Sequence, residues 1–155
     1  MRKDPSAIFV TLVFCVLIVF NTSGCVFAPA ISGIQDAGLT ESGRKQRLSR
    51  DLRDFHNALF WGNLNGALPY IQPESMSELR TVLLDKKKSG RIVDSKIEFV
   101  DFSEGAWKAS VDVSTRVHDK ATNIVKEVAE FETWNFTVQD GWKVESIERQ
   151  RASNS

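Results

Sequence analysis

The chain has 155 residues, with 20 Lys and Arg against 20 Asp and Glu and a formal net charge of zero. Acids and bases are interspersed, so there is no electrostatic footprint for nucleic acid. The roughly 130 residues after Cys25 suffice for one domain with one core and not for two. Ten Phe and four Trp supply large apolar surfaces for that core.

In chain order, Arg2 and Lys3 form a basic start, Ile8 to Phe20 is apolar but for Thr11, and Thr22, Ser23 and Gly24 lead into Cys25. This is the layout of an export signal. Its apolar run is shorter than the roughly 20 residues that a membrane-crossing helix needs. The segment resembles a bacterial lipoprotein signal, with Ser23 and Gly24 as the small residues before a lipid-attachment cysteine, Cys25, and Thr22 where that family usually has Leu. The resemblance implies that residues 1–24 are removed and that Cys25 carries a thioether-linked diacylglycerol and an acylated amine, palmitate being the typical chain. It also implies a chain anchored in the bacterial cell envelope. Val26 stands where Asp retains such proteins at the inner membrane, which points to the outer membrane, facing the periplasm. Removal of the signal takes Cys15 with it and leaves Cys25 as the sole thiol, which fits a modified cysteine in an oxidising compartment. The alternative is ordinary secretion, with cleavage after Ala30 and with Ala28 and Ala30 as the small-residue pair.

Residues 25–41 are expected to tether the lipid to the domain. Thr40 or Ser42 then offers a helix N-cap, and Leu48, Leu52, Phe55 and Leu59 share one helical face up to about Trp61. Arg47 with Asp51, and Arg50 with Asp54, sit four apart on its polar side. Gly62 ends this helix, and a short second helix is expected between Asn63 and Ile71. A third starts at Pro73 with Met76, Leu79, Val82 and Leu83 inward, and it closes at Lys86 to Lys88 and Gly90. The lysines suit the carbonyl end of a helix as a solvated basic run. Contact with anionic lipid is the sharper reading.

From Arg91 the pattern alternates. Strands are expected over Ile92 to Phe102, Trp107 to His118, Ile124 to Gln139 and Trp142 to Ile147, with Asp140-Gly141 as a hairpin turn. Ile97 and Phe99 set the inward parity of the first strand, and Trp107, Ala109, Val111 and Val113 that of the second. In the third, Phe131 and Thr133 follow one parity, and Trp134, Phe136 and Val138 the other. This predicts a bulge near Glu132 to Trp134. Residues 149–155 form a polar tail.

Helices followed by hairpin-linked strands define an α+β domain over residues 42–148, with the N-terminal helices packed on a curved antiparallel sheet of about four strands. The run Phe55 to Leu64, the segment Ala67 to Pro73 with Tyr70, and Trp134 followed by Asp140-Gly141-Trp142 make the domain similar to the NTF2-like, cystatin-like rolls. That family's cone implies a candidate pocket lined by Phe55, Leu59, Tyr70, Phe99, Val111 and Trp134. Its members include acid–base enzymes and many non-catalytic modules, and fold alone does not choose between them.

The sequence contains none of the common nucleophile, zinc or nucleotide-binding motifs. His56 and His118 lie on different elements, and neither a metal nor a cofactor is expected. An acid–base enzyme would need Tyr70 as donor with Asp101 or His56 as base. The acids of the second strand all lie on its polar parity, so the interior is expected to be apolar. Tyr70, Trp107 and Trp134 read first as packed or boundary residues. The leading expectation is a lipid-anchored, non-catalytic interaction module meeting an envelope protein or a second copy. The alternatives are a binder of small apolar ligands and a small isomerase-, dehydratase- or hydrolase-like enzyme.

Overall fold

The computed structural model describes residues 38–149. The expected signal segment, Cys25, most of the expected tether and most of the expected polar tail lie outside them. Helix α1 spans Glu41–Phe60, and the Thr40 side chain caps it by accepting from the Gly43 amide at 3.1 Å. Leu48, Leu52, Phe55 and Leu59 are its buried stripe, each worth about 1.5–3 kcal/mol when fully removed from water. Arg47 and Asp51 pair on its flank at 3.7 Å. Gly62, at φ +65°, turns the chain out of α1. Asn63 then caps the single turn α2, Leu64–Ala67. Short 3-10 turns at Leu68–Tyr70 and Pro73–Ser75 lead to α3, Met76–Ser89.

Strands β1 (Gly90–Phe102), β2 (Lys108–Asp119), β3 (Ile124–Thr137) and β4 (Gly141–Arg149) form one antiparallel sheet in the order β1-β2-β3-β4. The expected α+β class is therefore the observed one, with the helices packed on a four-stranded sheet. The core lies between α1 and the inner sheet face, where Phe55 meets Trp134 edge-on at 5.4 Å.

Three expectations about strand parity are corrected by where the bulges fall. In β1 the register slips at Val93 and again at Glu98, so that Ile97 faces Val113 whereas Phe99 faces Asp112. A bulge sets two residues opposite one, and every later side chain on that strand then changes face. Val100 and Phe102 therefore pack against the core and Phe99 stands on the outer face, 60% exposed. In β3 no phase change occurs. Glu130, Glu132, Trp134 and Phe136 are all buried, and its register with β2 is continuous. The irregularity at Thr133/Trp134 belongs to β4, where Glu145 is the extra residue between Val144 and Ser146. Finally, Trp107 precedes β2 and is 47% exposed rather than core. The turn before it, with Gly105 at φ +67° and Ala106 at φ 50°, delivers its ring to the Arg44 guanidinium, 4.0 Å from the ring centre.

Arg44 is the only arginine among the described buried polar residues. It donates to the carbonyls of Gly38, Leu39, Gly105 and Ala106. On the same turn of helix the Arg44 carbonyl accepts from Trp142 Nε1 at 2.8 Å. One side chain thus joins residues 38–39, the β1–β2 turn and the start of α1. Among the described residues no helix is long and apolar enough to cross a membrane.

Candidate functional site

The inner sheet face carries carboxylates where an apolar interior was expected. Glu132 is 1% exposed and accepts from Trp134 Nε1 at 2.9 Å. His56 projects from α1 so that its Nε2 lies 3.4 Å from Glu132 Oε2, off the line of a hydrogen bond and without another partner among the described residues. Its Nδ1 meets Ser95 Oγ at 3.3 Å. Burying a carboxylate is costly unless donors surround it, and the indole supplies the well-formed bond here. Nearby on the same strand, Glu130 takes Lys86 Nζ as an ion-pair partner and Thr115 Oγ1 as a donor at 3.3 Å, with Arg149 Nε at 4.0 Å. Lys86, expected in a solvated basic run, is instead a core residue of α3. It follows Leu79 and Leu83 on the same buried stripe.

The predicted pocket does not assemble as one cavity. Phe55, Val111 and Trp134 are each fully buried and fill the space between α1 and the sheet. Phe99 is on the opposite side of the sheet. Tyr70 packs at the margin, its ring 6.2 Å from Phe55. Burial, then the Asp54 and Asp51 carboxylates, push its phenol above the usual value. Leu59 does line a cavity of about 260 Å³, formed where the C-terminal ends of α1 and α3 meet the start of β1. Asp101 is exposed and pairs in register with Ser110 on the outward parity of β2, so it does not join Tyr70 or His56. His118 bonds Asn123 Oδ1 at 2.8 Å at the far end of β2, apart from His56. Among the described residues no three His, Cys, Asp or Glu side chains gather as metal ligands.

The outer face is the other distinctive surface. Phe99, Asp112 and Phe131 are consecutive partners across β1, β2 and β3, and the two rings are 60% and 40% exposed. Reading the sequence missed Glu130, Glu132, Ser95 and Lys86. The one local signal among them is the spacing of Leu79, Leu83 and Lys86.

No family model and no curated protein matches the chain. Among solved structures, it is similar to the solution structure of a SEC-C motif containing protein from Rhodopseudomonas palustris. The TM-score is 0.55 at 10% identity, over 70% of this chain and 89% of that one. The crystal structure of the intermembrane space region of the chloroplast protein ARC6 follows at TM-score 0.47 and 10% identity, over 69% and 96% of the two chains. A TrwG component of a type IV secretion system protein from Bartonella birtlesii gives 0.40 and 18%, over 60% and 78%. The first likeness describes the α+β fold alone, and the other two are too slight to carry an argument.

Proposed function

We propose that the protein is a lipid-anchored component of the bacterial cell envelope, held through Cys25 at the outer membrane and facing the periplasm, whose NTF2-like domain is a non-catalytic interaction module. The observation that carries this reading is the outer sheet face, where Phe99 and Phe131 flank Asp112 on a surface that no described helix covers. Isolated exposed apolar residues are ordinary. Two aromatic rings aligned by strand register, with a carboxylate between them, form a compact patch of the kind that aromatic anchors supply in interfaces. The packing of Phe55, Val111 and Trp134 supports the same reading, since it leaves no apolar ligand chamber at the centre of the roll. So does the separation of Asp101 from Tyr70.

The partner is an envelope protein or a second copy of the chain. A photo-crosslinking amino acid placed at Phe99 or Phe131 in intact cells is expected to give a discrete adduct, and the same probe at exposed Glu104, beyond the sheet, none. No adduct from either phenylalanine position, with a monomer in solution, removes the reading.

A further inference from the structure

We infer that the cavity beside Leu59 is a binding site for a single-chain anionic amphiphile, of the chemical class of a medium-chain fatty acid. The inference goes beyond the envelope reading: the site itself rests on neither Cys25 nor the outer face, and only the preference for a free molecule over a bilayer lipid uses that reading.

The cavity has two chemically distinct parts. Its inner wall is apolar, made by the buried side chains of Leu59, Leu83 and Ile92 with half-buried Leu64. Its exposed rim carries Lys87, Arg91 and Lys120 beside Trp61, which is 70% exposed. The volume of about 260 Å³ is room for a short apolar chain rather than a long one. An apolar enclosure with a few polar groups at one side is the general form of a small-molecule site.

What sets the rim apart is that three cations without an acidic partner among the described residues stand around one apolar mouth. Lys45, Lys86, Lys88, Lys96, Lys108 and Lys126 each pair with a carboxylate. Among the described residues no ion pair forms at Lys87, Arg91 or Lys120. Lys87 Nζ donates to the Gly62 carbonyl at 2.9 Å, and Lys120 Nζ to the Lys87 carbonyl at 3.1 Å. These bonds hold the ammonium groups at the cavity mouth and leave two protons on each for a further acceptor. Lys86 in the wall is already neutralised by Glu130, so the net positive charge belongs to the rim. A carboxylate or phosphate head satisfies that charge while its chain covers the apolar wall.

The two sources of such a molecule are a free acid and a lipid standing in a bilayer. Gly38, where the described residues begin, precedes the first turn of α1, whereas the cavity lies past its last turn. A 20-residue helix is about 30 Å long. The mouth is thus about a helix length from Gly38, which, under the envelope reading that puts the lipid anchor before Gly38, favours the free molecule over a bilayer lipid.

The test uses the full chain in nanodiscs of zwitterionic lipid, titrated with decanoate and followed by tryptophan emission, with a Trp61→Phe chain defining the share due to Trp61. The expected result is a saturable Trp61 response to decanoate, a response at least tenfold weaker with decanol, and a loss of at least fivefold in apparent affinity in Lys87→Gln/Arg91→Gln. Lys120→Gln alone, in the β2–β3 turn, is expected to lose at least twofold, and it provides the charge test should the double variant melt early. Equal responses to decanoate and decanol overturn the proposal, as does wild-type affinity in both charge variants. A Trp61 signal already saturated in discs of anionic lipid overturns the free-acid assignment and gives the site to a bilayer headgroup.

Discussion

Replacing Lys86 by Met removes the cationic partner of Glu130 while keeping the apolar stem that packs beside Leu83. Glu130 is then a carboxylate 2% exposed, with only the neutral Thr115 hydroxyl at 3.3 Å and Arg149 at the 4.0 Å limit of an ion pair. Breaking a buried pair from one side costs about 3–5 kcal/mol because a charge is left uncompensated in the core. The reciprocal change, Glu130→Leu, costs less, about 2–3 kcal/mol. Lys86 lines the wall of a cavity open to water, and its flexible stem lets the ammonium group turn toward that opening. In Lys86→Met/Glu130→Leu both charges are gone. The remaining penalty is the orphaned Thr115 hydroxyl, about 1 kcal/mol, so the double variant is expected to be more stable than either single one. The assay is urea unfolding at neutral pH, read as a shift of midpoint at constant slope. Additive losses, with the double variant the least stable of the three, would refute the claim that these residues act as one buried pair.

Arg44→Lys keeps the charge but loses the planar fork that reaches the carbonyls of both residues 38–39 and residues 105–106, and it is expected to cost about 2–3 kcal/mol. The same unfolding assay measures that loss, and a change below about 0.5 kcal/mol, the scatter of ordinary surface substitutions, contradicts the joining role given to Arg44. Tyr70 is the only tyrosine, so phenolate absorbance reports it alone. Its midpoint is expected above 10.0 in the folded protein, mainly through burial and then through Asp54, and to fall back on unfolding in urea. The folded phenol holds its proton more tightly than the unfolded one. The associated stability is therefore full below the ordinary tyrosine range and is lost as pH rises through the folded value. Asp54→Asn should lower the folded midpoint only part of the way. Gly141→Ala places a methyl group 2.5 Å from the Arg47 guanidinium at a φ of +76°, and a loss of about 1–3 kcal/mol is expected in thermal unfolding.

How much of this was legible depends on whether the determining contact is local. The stripe Leu48, Leu52, Phe55, Leu59 and the Thr40 and Asn63 caps are decided within a few residues, whereas the hairpin expected at Asp140-Gly141 turns instead through residues 138–140, with Gly141 already paired to Thr137. The stripe and the caps stand as the sequence predicts. Phe99 does not, because the bulge at Glu98 that turns it outward has no residue signature of its own and appears only when β1 is paired with β2. Glu130 and Glu132 defied the rule that acids mark the wet parity. Glu130 is stabilised by a group from a distant element, Lys86, 44 residues away, whereas Glu132 takes its well-formed bond from Trp134 Nε1, two residues along the same strand. The presence of Phe131 and Thr133 on the other parity then suggested a phase change in β3 that the real bulge, at Glu145 in β4, makes unnecessary. Of the predicted pocket residues, Leu59 alone lines the cavity. Phe55, Val111 and Trp134 belong to an interior surface that is packed solid, while Phe99 stands on the outer face and Tyr70 at the margin.

The intact mass of the protein extracted from its native membranes, compared with that of a Cys25→Ser variant, tests the proposed anchoring most directly. The account predicts a wild-type chain beginning at Cys25 with added acyl mass, and a variant without it. A chain beginning at Ile31 with no added mass would contradict it.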